Sequence, residues 1–329
     1  MIKILISGCA GFVGSHVVEY LLDNTDWEIV CLVRMSRSGN LNRLQSILDG
    51  RKDSKRVSIV RHDLLDRLDS IHRHIGQIDY VIHMAADSHV DDSILRPTEV
   101  FTNNAVSTAN ILEYTQKFQP TVKKFLYYSS DEVYGDADEG YEFMEYDMLN
   151  PRNPYSAGKA AGEMITNAYR ETYGLPTLIM RTENMFGEMQ DPEKYVPKLV
   201  GQIARGEEVS VHSTGKELVK FGSRYWLYAK NSASAVLFML QRPNSIDKVN
   251  VGSEVELNNM EMARRVAKLV GKELKYKCVE AHSIRPGYDR RYSIDYSLIK
   301  ELGWKPPYNF DEALEKTVKF SMEHPEWVK

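Results

Sequence analysis

Tyr155 and Lys159 stand four residues apart in a stretch of helical period, so they share one face of that helix. An ammonium beside a phenol lowers its pKa and makes it a base suited to hydride transfer from an alcohol. Upstream, Asp131 and Glu132 follow Ser129 and Ser130 at the end of Phe125-Leu126-Tyr127-Tyr128, an apolar run that reads as a buried strand. Carboxylates at the carboxyl end of such a strand face the crevice where open α/β sheets hold ligands. Two acids side by side in a water-poor cleft differ in proton affinity, so one can act as acid and the other as base. Ser130, Asp131, Glu132, Tyr155 and Lys159 are therefore the candidate catalytic residues, and together they suggest a dehydration built around a transient oxidation. The bland alternative for Asp131-Glu132 is a pair of solvated charges at a strand exit.

The elements that must position these groups begin with a short apolar strand at 2–6, then Gly8, Gly11 and Gly14 in a turn, then a helix from 12 to about 22. Strand, glycine turn and helix open a dinucleotide-binding unit, with the pyrophosphate favoured at the helix start beside Phe12 and Val13. The second strand, 28–33, ends in Val33-Arg34-Met35-Ser36-Arg37 rather than in an acid. Arg34, Ser36 and Arg37 suit a 2′-phosphate, which favours NADP, with NAD as the alternative. A third strand at 57–60 leads to Asp63-Leu64, where an adenine-contacting loop is expected. The fourth, 79–84, ends in small residues, Ala85 and Ala86, that permit close approach of a cofactor. His83 reads as a packed strand residue, and Asp91 and Asp92 as charges flanking a helix. Asn104 lies within the long helix at 98–118, where it is a poor helix former and a candidate to hydrogen-bond backbone across the site. With a helix at 154–173 and a sixth strand at 177–181, the pattern implies an α/β fold of Rossmann type: a doubly wound parallel sheet.

Residues 1–181 are thus expected to form the NAD(P)-binding domain, with a later segment near 225–252 returning to it, and 182–329 a smaller α/β substrate lobe. Its arginines could clamp a diphosphate, although rim salt bridges compete as an explanation. The chain of 329 residues carries a net charge of −4, which gives no electrostatic footprint for nucleic acid or an anionic membrane. No apolar run approaches a membrane span, and Met1 leads straight into a strand. Cys9, Cys31 and Cys278 share no metal-ligand spacing, so reduced thiols, no metal and a cytoplasmic location are expected.

At its motifs the chain resembles the extended short-chain dehydrogenase/reductases, and among them the nucleotide-sugar 4,6-dehydratases of the dTDP-glucose type. The likeness runs over nearly the whole length. It covers the glycine turn, the stretch from His83 to Asp91, Ser129-Ser130-Asp131-Glu132-Val133-Tyr134-Gly135 and the Tyr155/Lys159 pair. It continues in Pro192-Glu193-Lys194, Trp226-Leu227-Tyr228 and Arg285-Pro286-Gly287-Tyr288-Asp289-Arg290-Arg291-Tyr292. The Tyr/Lys pair belongs to the whole superfamily, whereas the Asp-Glu dipeptide is specific to the dehydratases. Three features depart from that type. Ser130 stands where Thr is usual, Val33 aligns with the NAD-selecting Asp, and the segment 212–223 is longer than the usual nucleotide-contacting loop. The surroundings of Arg34 look more like the GDP-mannose dehydratases, which use NADP.

The resemblance implies roles. Tyr155 would take the proton of the sugar C4 hydroxyl, Lys159 would steady the phenolate and hold the nicotinamide ribose, and Ser130 would bond the C4 oxygen. Glu132 would remove the C5 hydrogen and Asp131 would protonate the departing C6 hydroxyl. Asn184, Arg224 and Arg285 are candidates for the substrate diphosphate, and Ser88 and Lys194 for further substrate contacts. The cofactor would be regenerated each turnover and stay tightly bound, and the enzyme would be a homodimer. Rival readings are a UDP-sugar epimerase or a 5,6-dehydratase on the same scaffold, and a non-catalytic dinucleotide-sensing protein.

Overall fold

In the computed structural model, which describes residues 1–35, 39–215, 217, 220–284 and 288–329, the chain opens with Lys3–Ser7 (β1). Alternate side chains of a strand leave on opposite faces. Here both faces are apolar, with Ile4 and Ile6 in one core and Leu5 in another. A strand buried on both sides belongs inside a parallel sheet covered by helices. Phe12–Asn24 (α1), Glu28–Val33 (β2), Leu41–Leu48 (α2), Val57–Arg61 (β3), the short His72–Ile75 (α3) and Tyr80–His83 (β4) continue the winding. Val90–Leu95 (α4) and Pro97–Phe118 (α5) lead to Lys124–Tyr128 (β5), followed by Pro154–Tyr173 (α6) and Thr177–Thr182 (β6).

The later chain holds Asn184–Phe186 (β7), Tyr195–Arg205 (α7), Val209–Thr214 (β8), Lys220–Phe221 (β9), Ser223–Tyr228 (β10) and Ala229–Leu240 (α8). Lys248–Val251 (β11), Glu256–Asn258 (β12), Asn259–Val270 (α9), Tyr276–Glu280 (β13) and Ala281–Ile284 (α10) follow. Arg291–Tyr292 (β14), Ser297–Glu301 (α11) and Phe310–Glu323 (α12) complete it. The expected doubly wound parallel sheet is present, in the order β11-β6-β5-β4-β1-β2-β3. It has seven strands, one more than the six legible before residue 182, because β11 lies parallel to β6 with Asn250 opposite Arg181. On one face Val17, Val18 and Leu21 of α1 share a core with Ala233, Val236 and Met239 of α8. On the other, Ile111 and Leu112 of α5 join Phe125 and Tyr127, with Ile165 and Tyr169 of α6 packed against them.

The smaller α/β lobe is built from two further sheets. In one, β10 pairs with β12, β14 and β7; in the other the order is β13-β8-β9. Phe186, Val196, Leu199, Val211, Trp226, Met262 and Leu314 form its core. One fully buried arginine ties lobe to sheet. Arg43 of α2 donates from Nε to the carbonyl of Met189 at 2.8 Å and from Nη1 to that of Ala10 at 3.3 Å, and its Nη2 meets Asp191 at 2.9 Å.

A second buried ion pair fastens α6 to the sheet. Arg181 of β6 donates from Nε to Glu163 at 2.9 Å and from Nη1 to the carbonyl of Glu145 at 2.7 Å. Its guanidinium also lies over the Tyr134 ring, 4.7 Å from the centroid. Breaking a buried pair by removing one partner strands the other charge in a dry interior, at a cost of about 3–5 kcal/mol. Arg181→Met is therefore expected to lower unfolding stability by that amount in a denaturant titration. The double variant Arg181→Met/Glu163→Leu should recover most of the loss. A single variant as stable as the parent would show that the pair does not anchor the helix.

Candidate active site

The cleft lies where the parallel strands end, and each end contributes something different. After β1 the turn reverses at Gly8, with φ +78°, and a Cβ there would come within 2.7 Å of the Ala85 nitrogen beyond β4. Ser7 and His83 fasten these two ends. The Ser7 hydroxyl accepts from the backbone N–H of Met84 and Ala85 at 3.2 and 3.3 Å and shares a hydrogen with His83 Nδ1 at 2.7 Å. Burial drives the His83 pKa down to about 3, and Thr108 partners its other nitrogen, so it is the packed residue its strand position suggests. The loop after β4 is held by Asn104, which accepts from the Asp87 N–H at 2.8 Å and donates to the Asp87 carbonyl at 3.1 Å. That is the backbone bridge its placement inside a helix hinted at, and Asn104 supports the wall without lining it.

Gly8, Gly11, Phe12, Val13 and Gly14 line one end of the cleft with Arg34, Asp63, Leu64, Ala85 and Ala86. α1 begins at Gly11 with no side-chain cap, so its first N–H groups are free to meet an anion. With small residues on the facing wall, this end fits the pyrophosphate and adenosine of a nicotinamide dinucleotide. Arg34 donates to Asn103 Oδ1 at 2.8 Å and lies 3.4 Å from Asp63 and 3.5 Å from Asp87. Ser36 and Arg37, the other candidates for a 2′-phosphate, lie outside the described residues, as does Arg285.

The cleft continues to Ser130, Asp131, Glu132, Tyr155 and Lys159, so all five candidate catalytic residues meet in one place. Ser130 donates to Asp131 Oδ1 at 3.1 Å and accepts from the Glu132 N–H at 3.3 Å. Asp131 Oδ2 is buried with no partner among the described residues. Burial, and after it the charge of Glu132, pushes the Asp131 pKa up to about 7, making it a proton donor near neutrality. Glu132 is held differently: its Oε2 accepts from Asn153 Nδ2 at 3.1 Å and faces the Tyr292 hydroxyl at 3.4 Å. The two neighbouring carboxyls therefore differ in surroundings, Asp131 dry and Glu132 hydrogen-bonded.

Asn153 also caps α6. Its Oδ1 accepts from the Ser156 N–H at 2.8 Å, the Ser156 hydroxyl answers to the Asn153 N–H, and Pro154 opens the helix. That cap sets Tyr155 and Lys159 beside the carboxylates. Burial and then the charge of Glu132 hold Tyr155 well above its ordinary pKa, and the Ser130 hydroxyl works the other way. Burial brings Lys159 down to about 7, and its Nζ donates to the Tyr128 carbonyl and lies 4.5 Å over the Tyr127 ring.

The substrate candidates divide. Asn184, Ser88 and Lys194 line the cleft; Lys194 Nζ donates to the Ser88 carbonyl at 2.9 Å, and Asn184 Nδ2 has no partner among the described residues. Arg224 is placed otherwise. Its guanidinium donates to the carbonyls of Ser223, Arg290 and Asp289 and stacks 4.3 Å from the Tyr292 centroid, so it braces the 288–292 loop behind Asp131. Three groups escaped sequence reasoning: Asn153, Tyr292 with its partner Asp289, and Glu183, a buried cleft-lining carboxyl. For Asn153 a local signal existed, an Asn-Pro-x-Ser helix start. Tyr292 and Asp289 lie in the last motif quoted above, but their contact with Glu132 has no local signal, and Glu183 has none.

The family model for GDP-mannose 4,6 dehydratase matches residues 5–317. A low-salt glycan biosynthesis protein of Haloferax volcanii is 37% identical over 318 residues, spanning 96% of this chain and 97% of that protein. The dTDP-glucose 4,6-dehydratase of Escherichia coli is 33% identical over 350 residues, spanning 99% and 94%. The solved structure of dTDP-glucose 4,6-dehydratase from Streptomyces venezuelae with NAD bound superposes with a TM-score of 0.88 at 30% identity, covering 99% of this chain and 98% of that one.

Proposed function

The chain belongs to the GDP-mannose 4,6-dehydratase family of extended short-chain dehydrogenase/reductases, nicotinamide-dependent hydro-lyases of nucleotide sugars, and from that premise we propose the reaction and residue roles that follow. The substrate is a nucleoside-diphosphate hexose such as dTDP-glucose, and the product is its 4-keto-6-deoxy derivative. The observation that carries this reading is the pairing of a buried acid with a hydrogen-bonded base beside Tyr155. An epimerase needs no such second pair.

A nicotinamide dinucleotide held by the glycine turn and the wall at Ala85 and Ala86 would supply reversible hydride transfer at C4 and C6 of the sugar. Tyr155 holds the proton of the C4 hydroxyl, with Ser130 bonded to the same oxygen. Lys159, its ammonium weakened by burial, sits within the helix turn below and gives positive potential to the phenolate. Once C4 is a ketone the C5 hydrogen is acidic, and Glu132 removes it. Asp131 protonates the C6 hydroxyl, which leaves as water. Asn184 and Lys194 contact the substrate from the opposite wall with Ser88, while Arg224 acts on the site through the 288–292 loop.

We read the cofactor as NADP, with NAD the alternative. What supports this is the end of β2, where Val33 is buried and Arg34 faces the cleft. We read the assembly as a homodimer through α5 and α6, which expose the apolar side chains of Phe101, Val106 and Met164.

Four sets of outcomes test these statements. Glu132→Gln should keep the fold and C4 oxidation yet form no 4-keto-6-deoxy product, scored by mass spectrometry on a panel of nucleotide hexoses; full product would refute the base assignment. Below a pH of about 7 Asp131 keeps its proton, so water loss should decline as pH rises through that value. Asp131→Asn should abolish that limb and be partly rescued by a better C6 leaving group; equal rates with both substrates would remove Asp131 from the mechanism. Denaturing the purified protein should release NADP, and Arg34→Gln should weaken NADP more than NAD; released NAD alone would reverse the assignment. In sedimentation the protein should run at twice the chain mass, and a monomer at all concentrations would exclude the dimer.

A further inference from the structure

Glu132 must dispose of the proton it takes from C5, or keep it for the return. Its amide partner cannot help, because Asn153 Nδ2 only donates. The other contact can. The Tyr292 hydroxyl lies 3.4 Å from Glu132 Oε2 and donates to Asp289 Oδ2 at 2.8 Å, so it stands between two carboxylates. A hydroxyl both gives and accepts a hydrogen, and no other hydroxyl bonds the Glu132 carboxylate among the described residues. Tyr292 is 7% exposed and Asp289 1%, so the line runs through dry protein. At its far end Asp289 Oδ1 lies 3.0 Å from Arg152 Nη1, a guanidinium 39% exposed that also approaches Asp136 at 3.6 Å.

Resting on the dehydratase reading, we propose that Tyr292 and Asp289 form a proton path by which Glu132 exchanges with solvent between leaving and returning to C5. The step balances. As the C5–H bond breaks, its electron pair forms the C5–C6 double bond, the C6–O bond breaks, and the proton joins Glu132. Glu132 then gives that proton to Tyr292 Oη while the hydrogen on Oη passes to Asp289 Oδ2. The net change is one proton moved from Glu132 to Asp289, released to water at the Arg152 edge. The reverse order brings a solvent proton back to Glu132 for C5. Burial holds the Asp289 pKa above its ordinary value, and the charge of Glu132 adds to that, so the two ends of the path sense each other. Tyr292 and Asp289 touch no substrate; they act through Glu132.

The test is run on the full-length protein with dTDP-glucose, or whichever nucleotide hexose the panel shows it dehydrates, in deuterated water. Wild-type product is expected to carry solvent deuterium at C5. Tyr292→Phe, which removes only the hydroxyl, is expected to still lose water but retain the substrate's own hydrogen at C5, with deuterium there falling several-fold. Asp289→Asn should shift the same ratio and serves if the phenylalanine variant does not fold. A role limited to holding the loop would slow turnover without changing the origin of the C5 hydrogen. Undiminished deuterium in both variants, or wild-type product with no solvent hydrogen at C5, overturns the path alone. Wild-type protein that dehydrates no nucleotide hexose overturns the function and the path with it.

Discussion

A single amide side chain sets the geometry on which the rest of the site depends. The oxygen of Asn153 starts the helix bearing Tyr155 and Lys159, and its nitrogen holds Glu132. A cap is worth about 1 kcal/mol as a helix signal, a small part of what α6 gains by packing on the sheet. Its greater effect is on register. The capped end is fixed with respect to Glu132, so the two sets of reacting groups cannot drift apart independently. Arg181 and Glu163 fasten the same helix to β6 one turn beyond Lys159.

Burial does most of the remaining work, and it acts on each group in the direction that disfavours charge. It makes Asp131 a neutral donor, keeps the Tyr155 phenol protonated and leaves Lys159 a weak cation. These are the states of a site waiting to be charged by what binds it. Glu132, next to Asp131, is less buried and has two hydrogen-bond partners.

What could be read in advance follows chain locality. The glycine turn, the Tyr/Lys spacing and the Asp-Glu dipeptide each lie within a few residues, and each sits in the cleft where its local pattern places it. Long-range facts were opaque. Tyr292 reaches Glu132 across 160 residues, and nothing near either residue announces the meeting. Arg224 reads in sequence as an anion clamp, and spacing likewise says nothing of the three carbonyls of its own lobe that take three of its five donors. Helical spacing puts Lys159 beside Tyr155, but spacing says nothing of the Tyr128 carbonyl that takes one of its ammonium's donors.

The seventh strand carries a consequence for how the molecule is made. β6 gains its outer neighbour only when residues 248–251 arrive, and α1 is covered only when α8 does. A nascent chain halted near residue 182 would present an open strand edge and a bare apolar helix, both invitations to aggregate. Because the closing contacts join distant segments, the first half is completed only after residues up to 251 have emerged, and folding is expected to be slow. The cofactor cradle is thus made before the strand and the helix that complete its support.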